Sequence, residues 1–160
     1  MSEPARFAVV IACFYAELAE RLAAGAVAEL EAAGAAWERF EVPGAFELPL
    51  AASWAAGSGR FDGVVCLGAV IKGETDHYEF VCAEAARGVG EVALASGVPC
   101  SFGVLTCRTY EQALERCGGA KRDQGRLAAQ AALAMAALRG RIANVQAGPV
   151  GRAAAGGPTL

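Results

Sequence analysis

The sequence predicts an α/β fold: a four-stranded parallel sheet between two helical layers, a three-layer sandwich built as one domain. Three observations carry that expectation. Four strand-like runs alternate with stretches of helical period along 160 residues, a length that suffices for one domain with a real core. The first and third runs are continuously apolar, as expected of strands covered on both faces. The polar and glycine-containing stretches mostly follow the strands, where open parallel sheets bind their ligands.

The elements follow in order. Phe7-Ala-Val-Val-Ile-Ala12 is β-branched at its centre and reads as a strand buried on both faces. Cys13-Phe14-Tyr15 ends it. A helix runs from there to about Ala33, with Leu18, Leu22, Ala26 and Leu30 recurring along one stripe and Gly34 as its stop. Trp37 to Val42 alternates and reads as a second strand, nearer an edge. Pro43-Gly44 breaks it. A helix starts near Ala45 to Glu47, tolerates Pro49 in its first turn, and reaches about Ala56. The third strand is Gly63 to Ile71, and Tyr78 to Ser96 forms the third helix, with Tyr78, Val81, Cys82, Ala85, Val89 and Val92 on its apolar stripe. Cys100 to Thr106 is the fourth strand. Thr109-x-x-Gln112 has the pattern of a capping box for a short helix through about Arg116. The last helix spans Gln124 to Leu138. Residues 1–145 are expected to form the domain and 146–160 a mobile tail, since the tail lacks periodicity. The pattern leaves the strand order open.

Composition narrows the function. The hydrophobic fraction is 55% and the mean hydropathy +0.35, yet no run of about eighteen apolar residues offers a membrane span. The surplus apolar surface therefore points to subunit contacts. No basic start with an apolar signal core precedes the first strand, so the expected location is cytoplasmic. The net charge of −3 supplies no broad basic field for nucleic acid. Six cysteines occur without a C-x-x-C pair, which argues against a zinc site and fits a reducing compartment.

The stretch Gly68-Ala-Val-Ile-Lys-Gly-Glu-Thr-Asp-His77 is the centre of the functional reading. A strand that breaks into a glycine-containing loop and opens a helix presents backbone N–H groups to an anion. His77, the only histidine, has the right ordinary pKa for proton transfer. Read alone, the same ten residues equally suit a solvated loop with a capping histidine. Phe14 at a strand end suits stacking on a planar ring, or a place in the core. Glu47 at a helix start suits ligand hydroxyls, or the helix dipole. Glu74 and Thr75 open the third helix where phosphate would bind. Arg116 offers a forked guanidinium for phosphate. Together they suggest a flat, polyhydroxylated substrate and a small phosphate ester.

Five motifs carry a resemblance: Phe14-Tyr15, Val42-Pro-Gly-Ala-Phe-Glu-Leu-Pro49, Gly68 to Tyr78, Phe102-Gly-Val-Leu-Thr106 and Glu111-Gln-Ala-Leu-Glu-Arg116. In order and spacing, from about Arg6 to Leu138, the chain resembles the 6,7-dimethyl-8-ribityllumazine synthases. The resemblance implies a flavodoxin-like sandwich and a transferase of riboflavin biosynthesis. The reaction condenses 5-amino-6-(D-ribitylamino)uracil with 3,4-dihydroxy-2-butanone 4-phosphate, releasing phosphate and water. No metal and no organic cofactor is implied. The implied roles place Phe14 on the pyrimidinedione, with Phe102 lining the ring pocket. Ala45, Phe46 and Glu47 with Ala69, Val70 and Ile71 hold the ring and ribityl chain. Glu74 and Thr75 bind phosphate at the helix start, Arg116 holds it, and His77 shuttles protons. The implied site lies between adjacent subunits of a homo-oligomer, a pentamer or a multiple of pentamers, with Phe102 and Arg116 from the neighbour. Contact with riboflavin synthase is a further expectation.

The chain departs from the family pattern at several points. Gln124 stands where many members carry a lysine that approaches the phosphate, and Lys121, Arg122 and Arg126 are the cations available to compensate. Leu127, Lys72 and Cys13 also replace residues common in relatives. Two other readings use the same architecture. One is a non-enzymatic flavodoxin-like module that binds a flavin or lumazine, or forms a shell with a silent pocket. The other is a phosphate-binding signalling domain, disfavoured because no acidic triad sits at the strand ends.

Overall fold

A computed structural model describes residues 2–144. The expected tail, 146–160, lies outside them. The sheet contains β1 (Arg6–Ala12), β2 (Ala36–Val42), β3 (Gly63–Ile71) and β4 (Cys100–Cys107), all parallel, in the order β2-β1-β3-β4. The helices are α1 (Ala16–Ala32), α2 (Leu48–Gly57), α3 (His77–Ser96), α4 (Tyr110–Leu114) and α5 (Gln124–Ala143). The parallel three-layer fold read from the sequence is the fold of the molecule.

The strand pleat sorts the core into two halves. Phe7, Val9 and Ile11 of β1 join Val65 and Leu67 of β3 under α1 and α5. Ala8, Val10 and Ala12 join Val64 and Cys66 under α2 and α3. Both central strands are buried on both faces, which is why their sequences run apolar without alternation. β2 is an edge strand, and its alternation fits. Leu18, Leu22, Ala26 and Leu30 are fully buried, so the apolar stripe of α1 faces the sheet as its period requires.

Boundaries differ from expectation in small, explicable ways. Ala45–Glu47 form a separate 3₁₀ turn, and α2 begins only at Leu48 with Pro49 in its first turn. α3 starts one residue early, at His77. Thr109 does cap α4, accepting the Gln112 N–H at 3.2 Å, but Gln112 Oε1 accepts from the Arg108 N–H rather than from the cap residue. α4 ends at Leu114, short of Arg116. α5 continues to Ala143. Gly140 is carried inside it, at a cost of only about 1 kcal/mol relative to alanine. α1 and α5 cross at close range: a Cβ at Gly125 would lie 2.0 Å from the Leu22 carbonyl oxygen. Among the described residues no helix is long and apolar enough to cross a membrane.

Candidate active site

The strand order reverses between β1 and β3, because β2 lies on one side of β1 while β3 and β4 lie on the other. Ligands of open parallel sheets bind beyond the carboxyl ends of the strands at such a point. A cavity of about 270 Å³ opens there. β1 contributes Phe14 and Tyr15 just past its end. The turn after β2 contributes Gly44, Ala45 and Phe46, and β3 contributes Ala69, Val70 and Ile71. Gly73, Thr75, His77, Tyr78 and Val81 close it from the loop and the start of α3.

Two aromatic rings at this rim are not packed into the fold. Phe14 is 74% exposed and Phe46 59%, although both follow strand ends in an otherwise apolar chain. The Phe14 ring meets the edge of Tyr15, ring centroids 4.9 Å apart. Such surfaces are placed for a ligand or a second chain. By contrast Ala45 and Ala69 are buried, so their contribution to the wall is backbone and a methyl group.

The start of α3 is arranged for an anion. Asp76 sits at the cap position without a side-chain cap bond. The contact from the His77 N–H to Thr75 Oγ1 is long, 3.5 Å. The Glu79 N–H donates to the Asp76 carbonyl at 3.0 Å, which leaves the N–H groups of His77 and Tyr78 with capacity to receive a negatively charged group. The His77 side chain itself is exposed at the mouth. Tyr78 and Val81 fall on the apolar stripe of α3 by period, which argues core; the first turn instead aims them at the cavity. Burial, with Cys82 next to it, pushes the Tyr78 hydroxyl above its ordinary range.

Two acids singled out from the sequence stand off this wall. Glu47 Oε2 accepts the Gly44 N–H at 3.0 Å and closes the turn after β2. Glu74 is exposed and does not line the cavity.

Phe102 and Arg116 lie elsewhere. They line a second cavity, of about 390 Å³, with Val104, Leu105, Thr106 and Cys107 of β4 and with Gln112, Arg122 and Gln124. No residue belongs to both walls. Arg116 Nη1 donates to the Gln112 carbonyl at 2.9 Å and lies 3.5 Å from Glu115 Oε2. The second cavity flanks an edge strand, so its outer side has no neighbouring strand among the described residues. One chain thus carries an apolar, aromatic half with a histidine and a polar half with two guanidiniums. Gln112 belongs to the second wall although its sequence signal was only that of a helix cap. No group of three or more His, Cys, Asp or Glu side chains among the described residues is placed to hold a metal ion.

Comparison with known proteins identifies the family. The family model described as 6,7-dimethyl-8-ribityllumazine synthase matches residues 4–140. A protein of that name from Desulfatibacillum aliphaticivorans is 45% identical over 140 residues, covering 86% of this chain and 90% of its own. Another, from Halorhodospira halophila (strain DSM 244 / SL1), is 48% identical over 139 residues, covering 85% of this chain and 89% of its own. The matched region spans all four strands and both cavities, and the chain belongs to the 6,7-dimethyl-8-ribityllumazine synthase family.

Proposed function

We propose that this protein joins 5-amino-6-(D-ribitylamino)uracil to 3,4-dihydroxy-2-butanone 4-phosphate, yielding 6,7-dimethyl-8-ribityllumazine for riboflavin biosynthesis. The observation that carries the proposal is the division of the binding surface. Phe14, Thr75 and His77 line one cavity, and Phe102 and Arg116 line another cavity of the same chain. Two copies set side by side would bring one of each together.

In this reading Phe14 stacks on the pyrimidinedione from one side and the neighbour's copy of Phe102 lines the other. Ala45, Phe46 and Glu47 with Ala69, Val70 and Ile71 hold the ring edge and the ribityl chain. Glu47 reaches the hydroxyls with the carboxylate oxygen not engaged by Gly44. Thr75, the N–H groups opening α3 and the flanking Glu74 take the phosphate end, and Arg116 of the neighbour neutralises it. His77 moves protons at the mouth. The chain assembles as a pentamer or a multiple of pentamers in the cytoplasm, where riboflavin synthase consumes the product.

The chemistry asks for little else. The 5-amino nitrogen attacks the ketone carbon, and loss of one water gives an imine. A base takes the proton from C3, the electrons of that C–H bond form a C3=C4 double bond, and phosphate leaves with the electrons of its C–O bond; the resulting enol tautomerises to a carbonyl at C3. The ribitylamino nitrogen attacks that carbonyl, and loss of a second water closes the ring. Holding two reactants in register can supply roughly 7–11 kcal/mol of such a barrier. One imidazole adds about 10²–10⁴-fold.

The test is to mix the two substrates with the protein, following lumazine absorbance and released phosphate together. Equimolar appearance of both supports the proposal. Binding of the pyrimidine without product would instead favour a silent binding module and overturn it.

A further inference from the structure

We infer that Arg122, steadied by Gln124, is a second phosphate-contacting cation of the cavity beside β4. The inference rests on the reading above that this cavity receives the phosphate end of a substrate. It starts from charge. A phosphate monoester carries about −1.5 to −2 near neutral pH. Arg116 alone cannot match it, because its Nη1 already donates to the Gln112 carbonyl and lies 3.5 Å from the Glu115 carboxylate. With Glu115 counted, the pair is neutral.

Three further cations occur in the adjoining sequence, and geometry separates them. Arg126 Nε is committed to Glu29 Oε2 at 3.0 Å, across the α1–α5 crossing. Lys121 is exposed and does not line the cavity. Arg122 does line it, facing the same space as Arg116, and no carboxylate shares that wall. Its Nη1 donates to Gln124 Oε1 at 3.3 Å. The rest of the fork makes no hydrogen bond among the described residues. A guanidinium held at one corner, with its remaining donors facing a polar cavity, is a preorganised anion ligand.

The backbone holds this arrangement in place. Cys117 and Asp123 form an isolated antiparallel bridge. The Gln124 N–H donates to the Arg116 carbonyl at 2.8 Å, and the Gly118 N–H to the Arg122 carbonyl at 3.0 Å. The two arginines are thus fixed across one narrow loop. Asp123 anchors the loop to the domain. Its Oδ1 accepts the Arg126 N–H at 3.1 Å, and its carboxylate fills a notch over Gly25, where a Cβ would lie 2.3 Å from Oδ1. Gln124 is then a positioning residue that acts through Arg122.

The test uses the assembled protein and the variants Arg122→Ala, Arg122→Lys and Arg122→Ala/Gln124→Ala. Steady-state kinetics give a Michaelis constant for each substrate, and calorimetry gives the affinity for inorganic phosphate. Losing a charge-assisted contact should raise the constant for the phosphate substrate roughly tenfold in Arg122→Ala. The constant for the amine should move less than about twofold, with phosphate affinity falling in parallel. Arg122→Lys should recover part of the loss. The double variant should be no worse than Arg122→Ala, as expected of two residues acting as one unit. An unchanged constant and unchanged phosphate affinity in Arg122→Ala overturn the inference. So does an equal rise in both constants, which marks a structural role. A double variant clearly worse than Arg122→Ala overturns the assignment of Gln124. If the native protein makes no lumazine, the functional reading fails, and calorimetry still decides this one: weaker phosphate binding in Arg122→Ala supports it, equal binding refutes it.

Discussion

At the scale of single residues, the proposed reaction divides the side chains at the two cavities into those that hold and those that move protons. His77 is exposed at the mouth and is the only imidazole in the chain. If approximation of the reactants does most of the work, His77→Ala loses no more than about 10²–10⁴-fold and leaves measurable turnover. Arg116→Ala should raise the Michaelis constant for the phosphate substrate, a loss that His77→Ala does not share. Parallel steady-state assays of the two variants check both statements. Total inactivity of His77→Ala, with binding and assembly intact, would contradict the division of labour. The placement of some of these residues was legible in the sequence and that of others was not. Phe14 and His77 announce themselves, because an aromatic at a strand end and a histidine in a strand–helix loop are chemically conspicuous. Glu47 was legible only as an acid at a turn. Whether its carboxylate faces a ligand or folds back onto Gly44 depends on the conformation of three residues, which a one-dimensional pattern does not encode.

At the scale of elements, the strands and helices followed from period and punctuation, but their neighbours did not. β1 and β3 read as buried because they are uniformly apolar, yet nothing in a run of valines says which strand lies beside it. The order β2-β1-β3-β4, and with it the cavity between β1 and β3, comes from packing two helices on each face. The end of α5 was obscured by Gly140, a residue that weakens a helix without stopping it. The α1–α5 crossing is the contact most sensitive to a single atom. Gly125→Ala should destabilise the fold by about 1–3 kcal/mol or more, because a methyl group has no room beside the Leu22 carbonyl. Denaturant midpoints at one protein concentration measure this, and an unchanged midpoint would show that the helices separate freely. Carboxylates of α1 tie it to its neighbours. Glu17 is held below its ordinary range by Tyr110 and then Arg21, and Glu29 by Gln130 and then Arg126. A depressed carboxylate contributes stability above its unfolded pKa and loses it as pH falls through the folded value. Thermal stability should therefore decline as pH drops below the ordinary value of 4.5, and Glu29→Gln should blunt that decline. A melting temperature that rises on acidification would be the opposite of this expectation.

At the scale of the whole molecule, several large apolar side chains stand exposed, as the proposed assembly requires. Trp54 is 69% exposed and Leu94 90%, in addition to the two phenylalanines at the cavity rim. Surfaces of this kind mark subunit contacts. Mass photometry at micromolar concentration should report five subunits or a multiple of five, and a monomer there would remove the shared site. The central claim, that each site takes one half from either of two adjacent copies, has a more direct test. A chain carrying Phe14→Ala and His77→Ala is crippled in one half, and a chain carrying Arg116→Ala in the other. Assayed with the phosphate substrate well below the raised Michaelis constant, each should be nearly inactive alone. Co-expressed in equal amounts, with the two chains free to mix, about one quarter of the boundaries in a head-to-tail ring should carry two intact halves. Lumazine formation by the mixed assemblies should then return to about that fraction of the native rate. Mixed assemblies no more active than the two variants assayed apart would show that both halves must come from the same chain, and would contradict the account.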